Sequence, residues 1–395
     1  MASSGGKAKE FWGVLKKSFQ FEKHDKAGKP RRMDLLYLLI VLTLVGFGLV
    51  MLFSASYAYS YYWKGNSYNY ILRQMLFAGA GIAALLILSR IDYRIYYRFA
   101  WLIYAGAIVL LIVVFAMPPL NNARRWIILG SLTTFQPSEL AKFAIIILFA
   151  RLIDQNRDEM RSFKKGVVPF ILPLGLVAGL VVLEPHVSGT ILIVSIAFLM
   201  MMIGGTRIGW FVGAGAIGGT ALAAFVMFSS KMDYVKSRID IWLNPWIDPG
   251  DEGFQVIQSL LAIGSGGLGG AGLGNSKQKY MYIPEPQNDF IFSIVCEELG
   301  FVGAALIVIL FALLVWRGMV IAMRARDTFG GMVAMGISVQ VGLQAMLNIM
   351  VVTGVVPNTG ISLPFFSYGG TSLMMLLAEM GVVLAVSRQS AIEKR

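Results

Sequence analysis

Pro284-Glu-Pro-Gln-Asn-Asp-Phe-Ile-Phe-Ser-Ile-Val-Cys-Glu-Glu-Leu-Gly300 carries a proline-punctuated polar loop straight into a long apolar run. That run is long enough to cross a hydrocarbon core, which takes about twenty apolar residues. One acid, Asp289, stands at the junction, and Glu297 and Glu298 lie about two turns deeper. Carboxylates inside or at the lip of a membrane helix are costly and mark pathways or reaction sites. The stretch therefore decides two things: the chain is a membrane-embedded helical protein, and Asp289 leads its functional candidates.

Composition agrees. The chain is 57% hydrophobic and 14% charged, and its mean hydropathy is +0.69. These values lie outside the range of soluble domains. Apolar spans are expected at 35–55, 71–89, 99–117, 138–153, 167–183, 188–204, 208–228, 289–316, 330–352 and 368–387. The expectation is an all-α polytopic membrane protein of about ten transmembrane helices. The formal charge of +12 does not indicate nucleic acid, because the basic residues gather at helix ends, where orientation signals belong. The single cysteine, Cys296, lies in an apolar run, so neither a disulfide framework nor a cysteine-rich metal site is expected. The first thirty-two residues are polar and basic without a cleavable apolar core, so no removable signal peptide is expected.

Working outward, the basic residues set the orientation. Lys16, Lys17, Arg31 and Arg32 precede the first span, and Arg90, Arg94, Arg98, Arg157, Arg161, Arg207, Arg317 and Arg324 occupy alternate loops. By the positive-inside rule these loops and both termini are cytoplasmic. The division is a basic tail over 1–32, a transmembrane domain over 33–388 and a short tail over 389–395. Between the seventh and eighth spans lies a large extracytoplasmic loop, 229–288. It contains an apolar patch, Phe254 to Ile263, read as a helix lying along or dipping into the membrane. The glycine-rich run Gly264–Gly274 follows, read as backbone flexibility or close packing because it lacks the lysine and strand context of a phosphate loop.

Asp289 is placed at the start of its helix, where it either caps the amino terminus or serves as a base or cation ligand. Ser293, Cys296 and Gly300 share its helical face, and these small residues are expected to leave room above the acid. Glu297 lies to the side and Glu298 roughly opposite, bonding a neighbouring helix. Glu139 and Lys142 in Gln136-Pro-Ser-Glu-Leu-Ala-Lys142 sit three apart, close enough to pair; the pair fixes helix packing or offers the Lys142 charge to an anionic substrate. Arg124 and Arg125 face outward beside Trp126, against the inside bias, which fits an anion partner or headgroup anchoring. Glu184-Pro185-His186 occupies a very short outer turn, with His186 expected to satisfy a local hydrogen bond. Pro357-Asn-Thr-Gly-Ile-Ser-Leu-Pro-Phe-Phe-Ser-Tyr-Gly-Gly-Thr371 is irregular backbone near membrane depth, tolerated only where it lines a cavity or is buried in protein.

Taken together, Pro284-Glu-Pro-Gln-Asn-Asp-Phe-Ile-Phe with Glu297-Glu-Leu-Gly300, the 357–370 motif, Gln136-Pro-Ser-Glu-Leu-Ala-Lys142 and Ala123-Arg-Arg-Trp126 resemble the signature of the SEDS family (shape, elongation, division and sporulation). The resemblance runs from residue 34 to about 388. Lys236-Ser-Arg238, Asn244-Pro-Trp246 and Gly253-Phe-Gln-Val-Ile-Gln-Ser-Leu260 resemble the FtsW and SpoVE branch, with the RodA branch as alternative. His186 departs from the aspartate that relatives often carry in that turn.

The resemblance implies a peptidoglycan glycosyltransferase in the bacterial cytoplasmic (inner) membrane, at the division septum. It polymerises lipid II into β-1,4 glycan strands at the outer face and releases undecaprenyl pyrophosphate. It implies a class B penicillin-binding protein as transpeptidase partner, together with divisome membrane proteins and membrane lipid, and no nucleic acid. Asp289 matches the family's essential aspartate and takes the role of general base or metal ligand. Arg125, Glu139, Lys142, Arg238 and Ser367 are the residues expected at the substrate, and a divalent cation, Mg2+ or Mn2+, is compatible with the pyrophosphate leaving group. A lipid II flippase is the rival from another class; it calls for inverted repeats and polar breaks near the midplane, which the sequence does not display. An inactive division scaffold is a third.

Overall fold

The computed structural model describes residues 33–118, 124–129, 133–184, 186–213, 240–250 and 253–390. Helices dominate: α1 Leu35–Lys64, α2 Asn69–Leu88, α3 Arg94–Val114, α4 Pro137–Gln155, α5 Phe163–Gly166, α6 Val168–Leu183, α7 Val187–Ile203, α8 Phe254–Gly266, α9 Ile291–Met323, α10 Thr328–Val352 and α11 Gly370–Gln389. Among the described residues, seven helices are long and apolar enough to cross a membrane, counting α5 and α6 as one span. Helices α4 and α7 occupy two more of the expected spans. The expected span 208–228 lies mostly outside the described residues, as does the tail 1–32.

Among the described residues, one small sheet interrupts the all-α pattern. Strands β1 Ile127–Leu129 and β2 Thr133–Phe135 pair antiparallel, Ile128 opposite Thr134, and lead directly into α4. Arg125 and Trp126 immediately precede β1.

Helix α4 is the central column. Its residues from Ala141 to Ala150 are buried all round, although it carries Glu139, Lys142, Arg151 and Asp154. A helix apolar on every side is one enclosed by protein, and α4 packs against α3, α7 and α10. The outer helices show the opposite pattern: α2 and α3 bury a stripe each and leave Leu72, Leu76, Leu102 and Ile112 exposed, as lipid-facing surfaces require.

Ion pairs tie the loop ends expected on the cytoplasmic side. Asp34 caps α1 through the Tyr37 amide at 3.0 Å and pairs with Arg317 at 2.7 Å. Asp327 caps α10 through the Gly330 amide at 2.8 Å, while accepting from Tyr93 and Arg94.

The helix that follows Asp289 differs from expectation in its bounds. It begins at Ile291, not 289, runs to Met323, and breaks at Gly300, where φ is 64° and ψ −169°. Only glycine adopts that backbone without strain. The break frees the carbonyls of Glu297 and Glu298, which accept the amides of Ala271 and Gly272 at 2.9 and 3.0 Å. The glycine-rich run is therefore used for close packing. A Cβ at Gly270 would lie 2.2 Å from the Glu298 carbonyl oxygen, and one at Gly266 would lie 2.0 Å from that of Cys296.

A candidate active site at the outer end of the bundle

Side chains from the loops expected outside converge on a cavity of about 690 Å³. The 124–129 segment, the start of α4, His186 with the start of α7, the 284–290 loop and the 357–371 loop all reach it. Of the predicted residues, Asp289, Glu139, Lys142 and Arg125 line it together. Sequence separations of up to 164 residues are closed by the fold.

Asp289 lies two residues ahead of α9, and the cap position belongs to Phe290, with no side-chain cap. The capping reading is thereby corrected. Its backbone is clamped instead: Asn348 on α10 donates to the Asp289 carbonyl at 2.7 Å and to the Ile361 carbonyl at 2.6 Å, fastening two motif loops together. Tyr368 donates its amide to the Gln287 carbonyl at 2.8 Å, a second fastening. The space expected above Asp289 is not on the face of Ser293 and Cys296. Ser293 bonds Ser259 of α8 at 2.8 Å, and that face is closed by α8. The acid opens the other way, into the cavity and toward Gly360, where a Cβ would lie 3.6 Å from its Oδ2.

Among the described residues no side chain hydrogen-bonds the Asp289 carboxylate. Removal from bulk water raises its pKa to about 6; its own backbone amide opposes that shift and nearby Glu285 adds to it. A carboxylate held near neutrality, partly open to a cavity, is the state expected of a general base.

The cations lie across the cavity. Lys142 is buried, paired with Glu139 at 2.9 Å and bonded to Gln344 at 3.1 Å. Glu139 accepts from Ser372 of α11 at 3.1 Å. Arg125 donates from Nε to the Glu184 carbonyl at 3.3 Å, and burial lowers its pKa against the pull of Glu184. Glu184 lies just behind, fully buried, with burial raising its carboxyl to about 8. His186 lines the cavity near Gln136 and Ser138; burial, with Arg125 adding repulsion, lowers it to about 4. His186 is therefore neutral at pH 7.

Ser367 stands apart from this group: it is buried, and its hydroxyl accepts the Leu363 amide at 2.7 Å. Arg238 lies outside the described residues. Among the described residues no three His, Cys, Asp or Glu side chains converge to cage a metal ion.

Sequence reading missed Arg73, which lines the cavity from α2, and the amide stripe Gln340, Gln344 and Asn348. The stripe was available as a signal: three amides at four-residue intervals in an apolar helix share one face. Gln344 bridges Lys142 and Ser362, and Gln340 bonds buried Glu379 at 2.7 Å.

Comparison with known proteins agrees over nearly the whole chain. The family model described as cell cycle protein, FtsW/RodA/SpoVE, matches residues 34–392. Stage V sporulation protein E of Bacillus subtilis is 42% identical over 369 residues, 92% of this chain and 99% of that one. "Probable peptidoglycan glycosyltransferase FtsW" of Geobacter sulfurreducens is 39% identical, covering 90% and 95%. Among solved structures, a chain from a study of how a peptidoglycan synthase complex coordinates polymerization and crosslinking superposes with TM-score 0.76 at 30% identity, covering 91% and 99%. Rod shape determining protein RodA of Thermus thermophilus superposes with TM-score 0.67 at 27% identity, covering 91% and 98%.

Proposed function

The chain belongs to the FtsW/RodA/SpoVE family, and from that premise we propose that it is a multi-pass membrane peptidoglycan glycosyltransferase whose general base is Asp289. Relatives named as peptidoglycan glycosyltransferases match it over nine-tenths of its length. The observation that carries the assignment of the base is the Asp289 carboxylate: unbonded by other side chains among the described residues, raised to about 6, and open to a cavity that also holds Lys142 and Arg125.

The donor is the lipid-linked disaccharide, lipid II, and the acceptor is a sugar hydroxyl, a poor nucleophile until its proton is removed. Asp289 takes that proton as the hydroxyl oxygen bonds to the anomeric carbon of the donor. The bond from that carbon to the pyrophosphate oxygen breaks in the same displacement, and the configuration inverts. Negative charge grows on the departing pyrophosphate, and Lys142 and Arg125 are positioned to meet it, Arg125 with the two-pronged geometry that suits phosphate. Glu139 orients Lys142 through their 2.9 Å ion pair. A divalent cation carried in on the pyrophosphate would add charge of the same sign.

The transpeptidase partner is a class B penicillin-binding protein, a reading supported by the likeness to a chain of a polymerising and crosslinking complex. Work at the division septum, with divisome proteins, is favoured by the higher identity to the FtsW and SpoVE relatives than to RodA.

The test is gel-resolved polymerisation of labelled lipid II by wild type and Asp289→Asn, each with and without the transpeptidase. Ladders from wild type alone support the assignment. Equal ladders from both remove Asp289 from the chemistry, and no ladder from folded protein with its partner removes the polymerase reading in favour of transport or a scaffold.

A further inference from the structure

We propose that the outer end of α1 carries a binding track for the glycan strand, in which Tyr368, Tyr70, Tyr59, Trp63 and Tyr62 lead the polymer out of the cavity; this rests on the glycosyltransferase reading. The rings form an unbroken series. Tyr368 lines the cavity and meets Tyr70 edge-on with centroids 4.8 Å apart. Tyr70 lies 6.2 Å from Tyr59, Tyr59 6.3 Å from Trp63, and Trp63 5.3 Å from Tyr62. The series begins in the site and ends in solvent: Tyr59 and Tyr70 are half-buried, whereas Trp63 and Tyr62 are 60% and 69% exposed. Glu285 lines the cavity and stands within electrostatic reach of Tyr59 and Tyr70, adding a hydrogen-bond acceptor for hydroxyls at the exit.

The length of α1 puts this series where a product would pass. Its 30 residues rise about 45 Å, and about 30 Å of that suffices for the hydrocarbon core. Counted from the Asp34–Arg317 pair, its last three turns exceed what the core requires, and they carry Tyr59, Tyr62 and Trp63 next to Tyr70, which packs on the cavity-lining Tyr368.

The occupant follows from the chemistry of the rings. A pyranose has a flat C–H face and a rim of hydroxyls. An aromatic ring offers a flat apolar face of negative quadrupole, and tyrosine and tryptophan keep a polar tip for the rim. Such stacking tolerates translation from one sugar to the next, so a strand can advance by one repeat without leaving. A polymerase that extends one strand repeatedly needs a hold of that kind, because the charged donor groups leave with each turnover.

The competing use of exposed tyrosine and tryptophan is an interfacial aromatic belt. Position on the helix separates the two. Tyr59 and Trp63 share one face, four residues apart, while Tyr57 and Tyr61 share another. Tyr61 is 66% exposed at the same depth and off the series.

The experiment uses the full-length chain in two arms. In the first, lipid II is polymerised by wild type, Trp63→Ala, Tyr62→Ala, the double variant, Trp63→Phe and Tyr61→Ala, and strand length is read on a gel. The track predicts strands shorter by about threefold for each alanine and about tenfold for the pair, near-normal length for Trp63→Phe, and no change for Tyr61→Ala. In the second, β-1,4-linked N-acetylglucosamine hexamer is titrated calorimetrically into Asp289→Asn with the same ring changes; binding weakens in the same order. Equal lengths and equal binding across all variants overturn the track. Equal loss in Tyr61→Ala and Trp63→Ala overturns it too, and assigns the rings to the membrane belt. Absence of any strand from wild type counts against the polymerase reading alone, since the hexamer titration still decides whether the rings hold sugar.

Discussion

Two carboxylate regions lie within ten residues of each other and are built on opposite terms. Behind the Gly300 break, Glu298 is buried and fully engaged: Ser54 donates to it at 2.7 Å, the Ser276 amide at 3.3 Å and Lys279 at 3.0 Å. Glu297 accepts from the Ser276 hydroxyl and from the Lys277 amide at 2.8 Å. At the cavity, Asp289 accepts from no other side chain among those described, and burial holds it near neutrality. The first region spends its charge on shape, holding the 267–283 loop against the broken helix and α1. The second keeps its charge available. Glu297 and Glu298 are thus engaged as structural acids while Asp289 is the candidate for chemistry, since an unsatisfied buried acceptor is costly unless something else uses it. Glu184, buried with both carboxylate oxygens unpartnered among the described residues, shows that satisfaction alone does not sort every acid.

The contrast is broken most directly at Asp289. Asp289→Asn is expected to lower polymerisation by about 10²- to 10⁴-fold, the range for loss of a general base, with the folded protein recovered in normal yield on size-exclusion chromatography. Lys279→Ala tests the other region: removing one partner of a buried pair destabilises by about 3–5 kcal/mol, to be read as loss of folded protein in a thermal ramp. Replacing both partners, Lys279→Met with Glu298→Leu, should recover most of that stability. Recovery of activity by the double change would place the whole cluster in a structural role; stability without activity would give it a part in placing Asp289.

Lys142→Met is expected to lower turnover by about 10²-fold at similar stability, measured as initial rate against lipid II concentration. A stability change above its effect on rate would make Lys142–Glu139 a packing pair. The pH dependence sharpens the comparison further. Polymerisation should rise with pH through about 6 as Asp289 loses its proton, and Asp289→Asn should lack that limb. For stability the sign is opposite. A carboxyl whose folded pKa is raised holds a proton that the unfolded chain has lost between about pH 4 and 6. Stability contributed by Asp289 is then present at low pH and falls as pH rises through about 6. Asp289→Asn should therefore be more stable than wild type at pH 7 by up to about 2 kcal/mol, its cavity-facing side moderating the effect. The smallest effect is Ser367→Ala, which loses one buried hydrogen bond to the Leu363 amide and should cost about 1 kcal/mol in a denaturation midpoint.

Much of this was legible in the chain. The order of spans, the loops that meet at one end and the place of Asp289 at a loop–helix junction follow from hydropathy, basic residues and the cost of charge in lipid. The Glu139–Lys142 pair was legible because three-residue spacing on a helix allows contact without reference to anything else. Other expectations failed where distant residues intervene. The face bearing Ser293 and Cys296 reads as open on a helical wheel, yet α8 fills it. Asp289 reads as a cap, yet the helix starts beyond it because Asn348, 59 residues on, fixes the loop carbonyls first. Ser367 differs: its hydroxyl accepts the Leu363 amide only four residues back, a local turn contact inside the motif.

The sequence by itself determined that this protein lives in a membrane, where its spans and loops alternate and which residue types are too costly there to be idle, because burial and hydration are properties of side chains taken one at a time. Only the tertiary structure decided which acids are satisfied and which are free. Satisfaction depends on partners hundreds of residues away, Ser54 on Glu298 across 244 and Arg317 on Asp34 across 283, and no local spacing specifies those meetings.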